Sequence, residues 1–544
     1  MLKSRLYFVF VFFICFAAKA QVNRYVIFFS DKDTAAFSTN NPEQFLSLKA
    51  IERREKQAIP ITAQDFPVNN AYLNGLRDMG ADVYFSTKWF NAALVQMDLS
   101  LVSPIFALEY VTDIEYVALD SLLGRVKQPF EIPEEFLEPP SISSNSDIQL
   151  NLLNAKKMHE DGFSGQGMLI AVFDVGFIGT NNFKPFQQIF DDNRLIAMRD
   201  FVGNTGNVFQ YGSHGTSVFS CIGAKYKGDM VGTAPDADFV LCVTEAANEY
   251  RIEEYNWLLA AEYADSLGVD VINSSLGYSN GFTDPNMDYS LDDLDGKTTV
   301  ISRAAQIASG KGIIIVTSAG NEGRETNTWR KITPPADAEN ILTVGSIDKY
   351  GVRSAFSSIG PTADGRIKPD VMAMGSNTAI MSSSGNIITG NGTSFASPLI
   401  AGFAACMWQA NPDWNYLEVI DAIKNSASNA LTPDSFVGYG LPNYNAAIHN
   451  SILSLNQLIN TNISIFPNPF TGNKITIDFM GAAIDESMSI EISDAQGRQI
   501  YKQKVTKRNR PDQVEIEFDT DKSGVYLLSL KSRNVHKVIK LIKI

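Results

Sequence analysis

Histidine and cysteine are scarce in this chain. Its 544 residues contain four of each, the histidines at 159, 214, 449 and 536. No GxxxxGK(S/T), HExxH or CxxC occurs, which removes the usual phosphate cradle and the paired metal-ligand motifs. An excess of basic charge is missing too: the formal net charge is −15, which argues against a nucleic-acid partner. Beyond the first twenty residues, no apolar run approaches the roughly 20 residues that a membrane-spanning helix needs. Setting those residues aside also removes Cys15 and leaves Cys221, Cys242 and Cys406, enough for at most one intrachain disulfide. All three sit among small or apolar neighbours and read as buried free thiols.

What is present is a chain of ordinary globular hydrophobicity, 45%, long enough for three or four domains. Its chemistry centres on Asn391-Gly392-Thr393-Ser394-Phe395-Ala396-Ser397-Pro398, which leads into the apolar run Leu399 to Trp408. The glycine permits a tight turn, and the run reads as a buried helix with Ser394 at its N-terminal end and Pro398 in its first turn. Unpaired N–H groups and partial positive charge at such an end stabilise negative charge forming on a substrate oxygen. A lone Ser before an apolar run is more often just a cap, but two further segments supply what a nucleophile needs. Leu169 to Phe173 reads as a buried parallel strand that places Asp174 at its C-terminal edge, where open α/β sheets hold their chemistry. His214, among Gly212, Ser213, Gly215 and Thr216, opens a helix-like run. A hydroxyl nucleophile needs a base of near-neutral pKa, and that base needs a carboxylate to fix its tautomer.

With Asp174, His214 and Ser394 in that order, the chain resembles the subtilisin-like serine proteases. The likeness extends over roughly 150–450 through Val271 to Gly277 (VINSSLG), Ile315 to Gly323 (IVTSAGNEG), Phe356 to Pro361 and Arg366 to Val371. It implies a secreted serine endopeptidase, made as a zymogen, acting through an acyl-enzyme. It implies an oxyanion donor at Asn321, and substrate contacts at Ser275, Leu276, Gly277 and Gly320 along an edge that pairs with peptide backbone. Val175 follows Asp174 where the family usually has Thr or Ser, so one hydroxyl contact near the carboxylate is absent. The alternative is a catalytically silent surface adhesin that keeps the fold. No cofactor is required for the chemistry, and no metal ligand is assigned. Structural calcium is allowed by the resemblance, yet the five Asp of Asp284 to Asp295 lack EF-hand spacing and read as an acidic insertion. Thr333-Pro334-Pro335-Ala336 reads as a rigid turn in which one proline is a candidate for a cis bond.

The expected fold class is α/β: a mostly parallel sheet with helices on both faces, a small N-terminal α+β propeptide and a C-terminal β-sandwich. Residues 1–20 have the charged start, apolar stretch and Ala18-Lys19-Ala20 site of a signal peptide. Residues 21–120 alternate strand and helix signals, strands at 24–30, 82–86, 91–97 and 114–118 and helices at 44–56, 70–79 and 99–108, and resemble an inhibitory propeptide. Residues 121–148, rich in Pro, Glu and Ser, form a linker with the processing site. The catalytic domain spans 149–450, with strands at 169–173, 238–243, 269–273, 312–317 and 341–345 and helices at 253–267 and 299–309. After a 451–461 linker, period-2 segments in 462–544 suggest a β-sandwich resembling the C-terminal sorting domain of type IX secretion substrates. The partners implied are peptide or protein substrates, the chain's own propeptide and the type IX machinery. The expected location is outside the cell or on its surface.

Overall fold

The computed structural model of the chain describes residues 22–33, 36–119, 137–138, 146–226, 229–246, 248–448, 464–478, 487–494, 498–506, 513–517, 522–531 and 536–544. The expected signal at 1–20, most of the 121–148 linker, the 451–461 linker and all but the first residue of a turn expected at Asp494-Ala495-Gln496-Gly497 lie outside them. The chain divides into two units, Met1–Tyr444 and Asn445–Ile544.

Seven strands form the central sheet of the first unit, all parallel. In space they run Val371–Met374, Leu342–Ile347, Ile314–Ser318, Val271–Ser274, Leu169–Asp174, Asp238–Val243, Leu195–Asp200. The five interior strands are wholly buried, or nearly so, which is why they read as continuous apolar runs rather than alternating ones. The sequence reading missed the strands at the two edges. Leu195–Asp200 alternates buried and exposed positions, and Val371–Met374 is only four residues long. Chain order reverses between Leu169–Asp174 and Val271–Ser274, and a crevice outside such a switch point is where α/β sheets bind ligands.

The N-terminal region is a four-stranded antiparallel sheet of Asp82–Thr87, Ala92–Asp98, Val22–Phe29 and Val111–Leu119. Its strands are apolar on both faces for a reason visible in the packing. Tyr25, Ile27, Phe29, Val95 and Met97 close on Leu73 and Leu76 of its own helix Asn70–Asp78, while Val26, Ala92 and Leu94 join Tyr255 and Trp257 of the helix Ile252–Leu267. That helix is buried nearly all round because it lies between two sheets. The expected helices are shorter than read: Leu48–Lys56 begins at a Ser47 cap, and the 99–108 segment is a single 3-10 turn followed by Val102–Phe106.

Buried ions pin this junction. Arg53 and Arg54 reach Asp265 at 2.6 and 2.7 Å, Arg54 also forks onto Asp65 at 3.0 Å, and Lys311 reaches Asp65 at 3.0 Å. Burial raises the Asp265 carboxyl, but the guanidiniums override it and hold the group below the ordinary range. Glu262 accepts from the Lys88 and Trp89 N–H groups and the Thr87 hydroxyl. The thiols of Cys221, Cys242 and Cys406 are buried and unbridged, and burial pushes Cys221 up to about 12 and raises the other two as well.

In the second unit a three-stranded sheet (Ser464–Phe466, Lys474–Asp478, Gln513–Glu517) and a four-stranded one (Gln499–Thr506, Ser487–Asp494, Gly524–Lys531, His536–Lys543) share one core. Ile475, Ile477 and Ile516 from one sheet meet Ile490, Leu528 and Leu541 from the other, as period-2 strands of a sandwich require.

Candidate active site

Asp174 ends its strand and is 2% exposed. His214 is the first residue of the helix His214–Gly223, and its Nδ1 donates to both Asp174 oxygens at 2.9 and 3.0 Å. The close approach depends on glycine. A Cβ on Gly215 would lie 2.4 Å from the Gly176 carbonyl oxygen and 2.9 Å from the Asp174 Cβ. The Val175 N–H donates to Asp174 Oδ1 at 2.8 Å, so backbone supports the carboxylate beside a residue that has no hydroxyl. Burial would lower the His214 pKa, but the adjoining Asp174 charge and hydrogen bond outweigh it and leave the imidazole above its ordinary value. With Nδ1–H committed to Asp174, the neutral ring presents Nε2 as a proton acceptor. The Phe395 ring packs against it at 5.9 Å between centroids.

Ser394 is the second residue of the helix Thr393–Ala410, so its N–H is among the first four donors, which have no acceptor within the helix. Pro398 corrects the sequence reading: it lies in the second turn, inside the helix, not in the first. There its missing N–H would orphan the Ser394 carbonyl, one turn back. The Ser275 hydroxyl takes that place, donating to the Ser394 carbonyl at 2.9 Å. Asn273 donates to Ser275 Oγ at 3.0 Å and accepts from Ser397 Oγ at 2.9 Å, which completes a buried network between the strand end and the helix. The Ser394 hydroxyl in turn donates to the Ser275 carbonyl at 3.3 Å.

Asn321 follows Gly320, whose φ of +104° suits only glycine and whose added Cβ would meet Ser358 and Thr333 oxygens within 3.0 Å. The Thr393 N–H and hydroxyl both donate to Asn321 Oδ1, at 2.9 and 3.0 Å. This fixes which way the amide points and leaves its NH2 for another acceptor. Asp174, His214, Ser394, Asn321, Ser275, Leu276, Gly277 and Gly320 all line one cleft of about 730 Å³. Thr393, Phe395, Asn273 and Ser397 escaped the sequence reading in these supporting roles. Asn273, a lone amide inside an apolar strand, was the one detectable signal among them.

Glu245, also missed, lines the same cleft, and burial lifts its carboxyl to about 7. The five Asp of the 284–295 stretch are spent largely on turns. Asp284 accepts from the Asn286 N–H, Asp288 from Gly281 and Phe282, Asp293 from Ser290, and Asp295 from Lys297 and Thr298. Among the described residues no group of three or more His, Cys, Asp or Glu is gathered to hold a metal. The Pro334–Pro335 bond is cis, and its turn returns the Pro334 carbonyl to the Tyr278 N–H at 3.0 Å.

Residues 165–440 match the subtilase family, residues 24–130 the peptidase S8 propeptide domain of Bacteroidota, and residues 464–544 the secretion system C-terminal sorting domain. Subtilisin NAT of Bacillus subtilis subsp. natto is 28% identical over 375 residues, 68% of this chain and 84% of that protein. Alkaline elastase YaB of Bacillus sp. (strain YaB) is 26% identical over 337 residues, 62% of this chain and 76% of that protein. Among solved structures, MycP1 from Mycobacterium smegmatis is 24% identical, with a TM-score of 0.45, over 57% of this chain and 87% of that chain. The chain belongs to the subtilase family: it is a subtilisin-like serine endopeptidase, made with a propeptide and carrying a C-terminal sorting domain for secretion.

Proposed function

We propose that Ser394 is the nucleophile of this secreted endopeptidase, His214 its general base and acid, and Asp174 the group that orients and charges His214. The observation that carries the assignment is the Asp174 carboxylate on His214 Nδ1 at 2.9 and 3.0 Å in the cleft that Ser394 lines. Substrate backbone pairs along Ser275-Leu276-Gly277, with Gly277 and Gly320 bordering the pocket for the residue before the scissile bond. The Ser394 hydroxyl leaves the Ser275 carbonyl, gives its proton to His214 Nε2, and attacks the scissile carbon. Negative charge gathers on the carbonyl oxygen, where the Asn321 NH2 and the Ser394 N–H donate to it. His214 then protonates the leaving amine. Water, deprotonated by the same imidazole, releases the acyl group, and Ser394 recovers its proton.

The N-terminal domain acts as an intramolecular inhibitor until it is cut away within 121–148. Residues 1–20 act as the export signal, and type IX machinery reads 462–544 before the enzyme is released or attached at the surface. Catalysis needs no cofactor, and structural calcium, where bound, would stabilise the fold rather than act on substrate. A fluorophosphonate probe should label the processed protein at Ser394, and Ser394→Ala should abolish labelling, casein cleavage and self-processing together. Processing by the Ser394→Ala protein in isolation would refute the assignment.

A further inference from the structure

Among the described residues the charged groups lining the cleft are all carboxylates, with no lysine or arginine: Asp174, Glu245, Glu249, Glu253 and Glu322 all face it. Two of these are accounted for. Asp174 serves His214, and Glu322 accepts from Asn327 Nδ2. The other three form a separate arm beyond the end of the strand Asp238–Val243. Glu245 accepts from the Thr244 hydroxyl at 3.0 Å and from the Tyr278 hydroxyl at 2.7 Å, which ties it to the residue after the Ser275–Gly277 edge. Glu253 is 1% exposed; its Oε1 accepts the Ala246 N–H at 2.6 Å, and its Oε2 has no hydrogen-bond partner. Glu249 stands at the exposed rim.

An acceptor buried without a donor costs free energy, and three carboxyls converging without a cation cost more. Among the described residues only neutral donors meet Glu245 and Glu253, whereas Asp265 and Asp65 at the propeptide junction have their cations. Burial lifts Glu245 and Glu253 together, so an arriving cation would draw both toward their charged forms. The arm adjoins the reacting centre closely enough for Glu245 to act electrostatically on both Asp174 and His214. The chain also carries its own candidate occupant: Arg125 and Lys127 are the only basic residues between 121 and 148, where processing is expected.

We propose that Glu245, Glu249 and Glu253 form a subsite for a lysine or arginine side chain of the peptide substrate, on the acyl side of the scissile bond. The inference rests on Ser394 as nucleophile and on Ser275–Gly277 as the substrate edge. The carboxylate of Glu245 meets the cation first, Glu249 closes over it from the rim, and Glu253 supplies the second layer of charge.

The test uses the processed full-length enzyme and quenched fluorescent peptides in which lysine replaces leucine at each position before the cleaved bond in turn. At one position lysine should raise kcat/KM about tenfold over leucine. That ratio should fall toward unity in Glu245→Gln, and in wild type it should shrink as salt rises to about 1 M. If Glu245→Gln does not fold, Glu249→Gln, at the exposed rim, and the wild-type salt series carry the test. A flat preference at every position, or a ratio unchanged by both substitutions and by salt, overturns the subsite. Fluorophosphonate labelling of Ser394 separates the two readings: a labelled enzyme with flat preference sinks only the subsite, and an unlabelled one sinks both.

Discussion

Replacing Asp265 by Asn should loosen the propeptide far more than any surface change at the same junction. Asp265 is fully buried between Arg53 and Arg54, with Lys88 at 3.5 Å. Breaking a buried pair typically costs about 3–5 kcal/mol, because the partner charge stays behind uncompensated. Here the stranded cations each keep something. Arg54 keeps Asp65, Arg53 keeps the Val269 carbonyl at 2.6 Å, and Lys88 keeps Ser266 Oγ at 2.8 Å. The loss should therefore sit at the lower end, about 3 kcal/mol, or roughly 150-fold in affinity. Lys49, whose side chain is 39% exposed in its pair with Asp270, is the control: Lys49→Ala should cost at most about 1 kcal/mol. Titration calorimetry of the separately made propeptide into catalytic domain carrying Ser394→Ala measures both, and the propeptide's own folding cost cancels for Asp265→Asn. The acid dependence follows from the same carboxyl. Its pKa is lowered in the complex, so its contribution is present above the ordinary 3.8 and lost as pH falls below that value. Glu262 is shifted the other way by burial, so its contribution is fully present below its ordinary 4.5 and is lost as pH rises through the raised value. Mild acid near pH 5 should leave the complex intact. Equal losses for Asp265→Asn and Lys49→Ala, or release near pH 5, would refute this reasoning.

Three further outcomes can be measured. Ser275→Ala leaves the Ser394 carbonyl without a donor beside Pro398, so calorimetry should show a loss of about 1–3 kcal/mol; an unchanged melting temperature would contradict the network. Asn321→Ala should lower kcat by about 10²–10³ with little change in KM, and a purely KM effect would remove Asn321 from the oxyanion. Because Asp174 holds the His214 pKa above 6.5 and the base must be neutral, kcat/KM should be lost as pH falls through a midpoint above 6.5. In Asp174→Asn, residual activity should show a midpoint below 6.5, since burial, the largest influence on the ring, is then opposed only by the weaker pull of Glu245.

The strands and helices that carry Asp174, His214 and Ser394 were legible because parallel-sheet burial leaves unbroken apolar runs with a polar residue at the end. Leu195–Asp200 was not, since an edge strand half in water has a weaker pattern. Local sequence misled at Pro398, where the deficit that should break a helix is repaired by a hydroxyl 123 positions earlier in the chain, from Ser275. The Glu245 arm was hidden for a related reason. Glu245, Glu249 and Glu253 recur every fourth residue, but only Glu253 lies on a helix, and it is the turn between a strand end and the helix at Ile252 that brings them to one wall. The acidic 284–295 stretch stands out by composition, yet backbone N–H groups absorb four of its five carboxylates.

The three sealed sulfhydryls make the molecule its own opening gauge. A maleimide or iodoacetamide in the medium finds no thiolate while the parallel sheet is shut, so each alkylation event counts an excursion that exposes the interior. Because Cys221, Cys242 and Cys406 sit on a helix, a strand and the nucleophile's own helix, the order in which they react would chart which layer parts first.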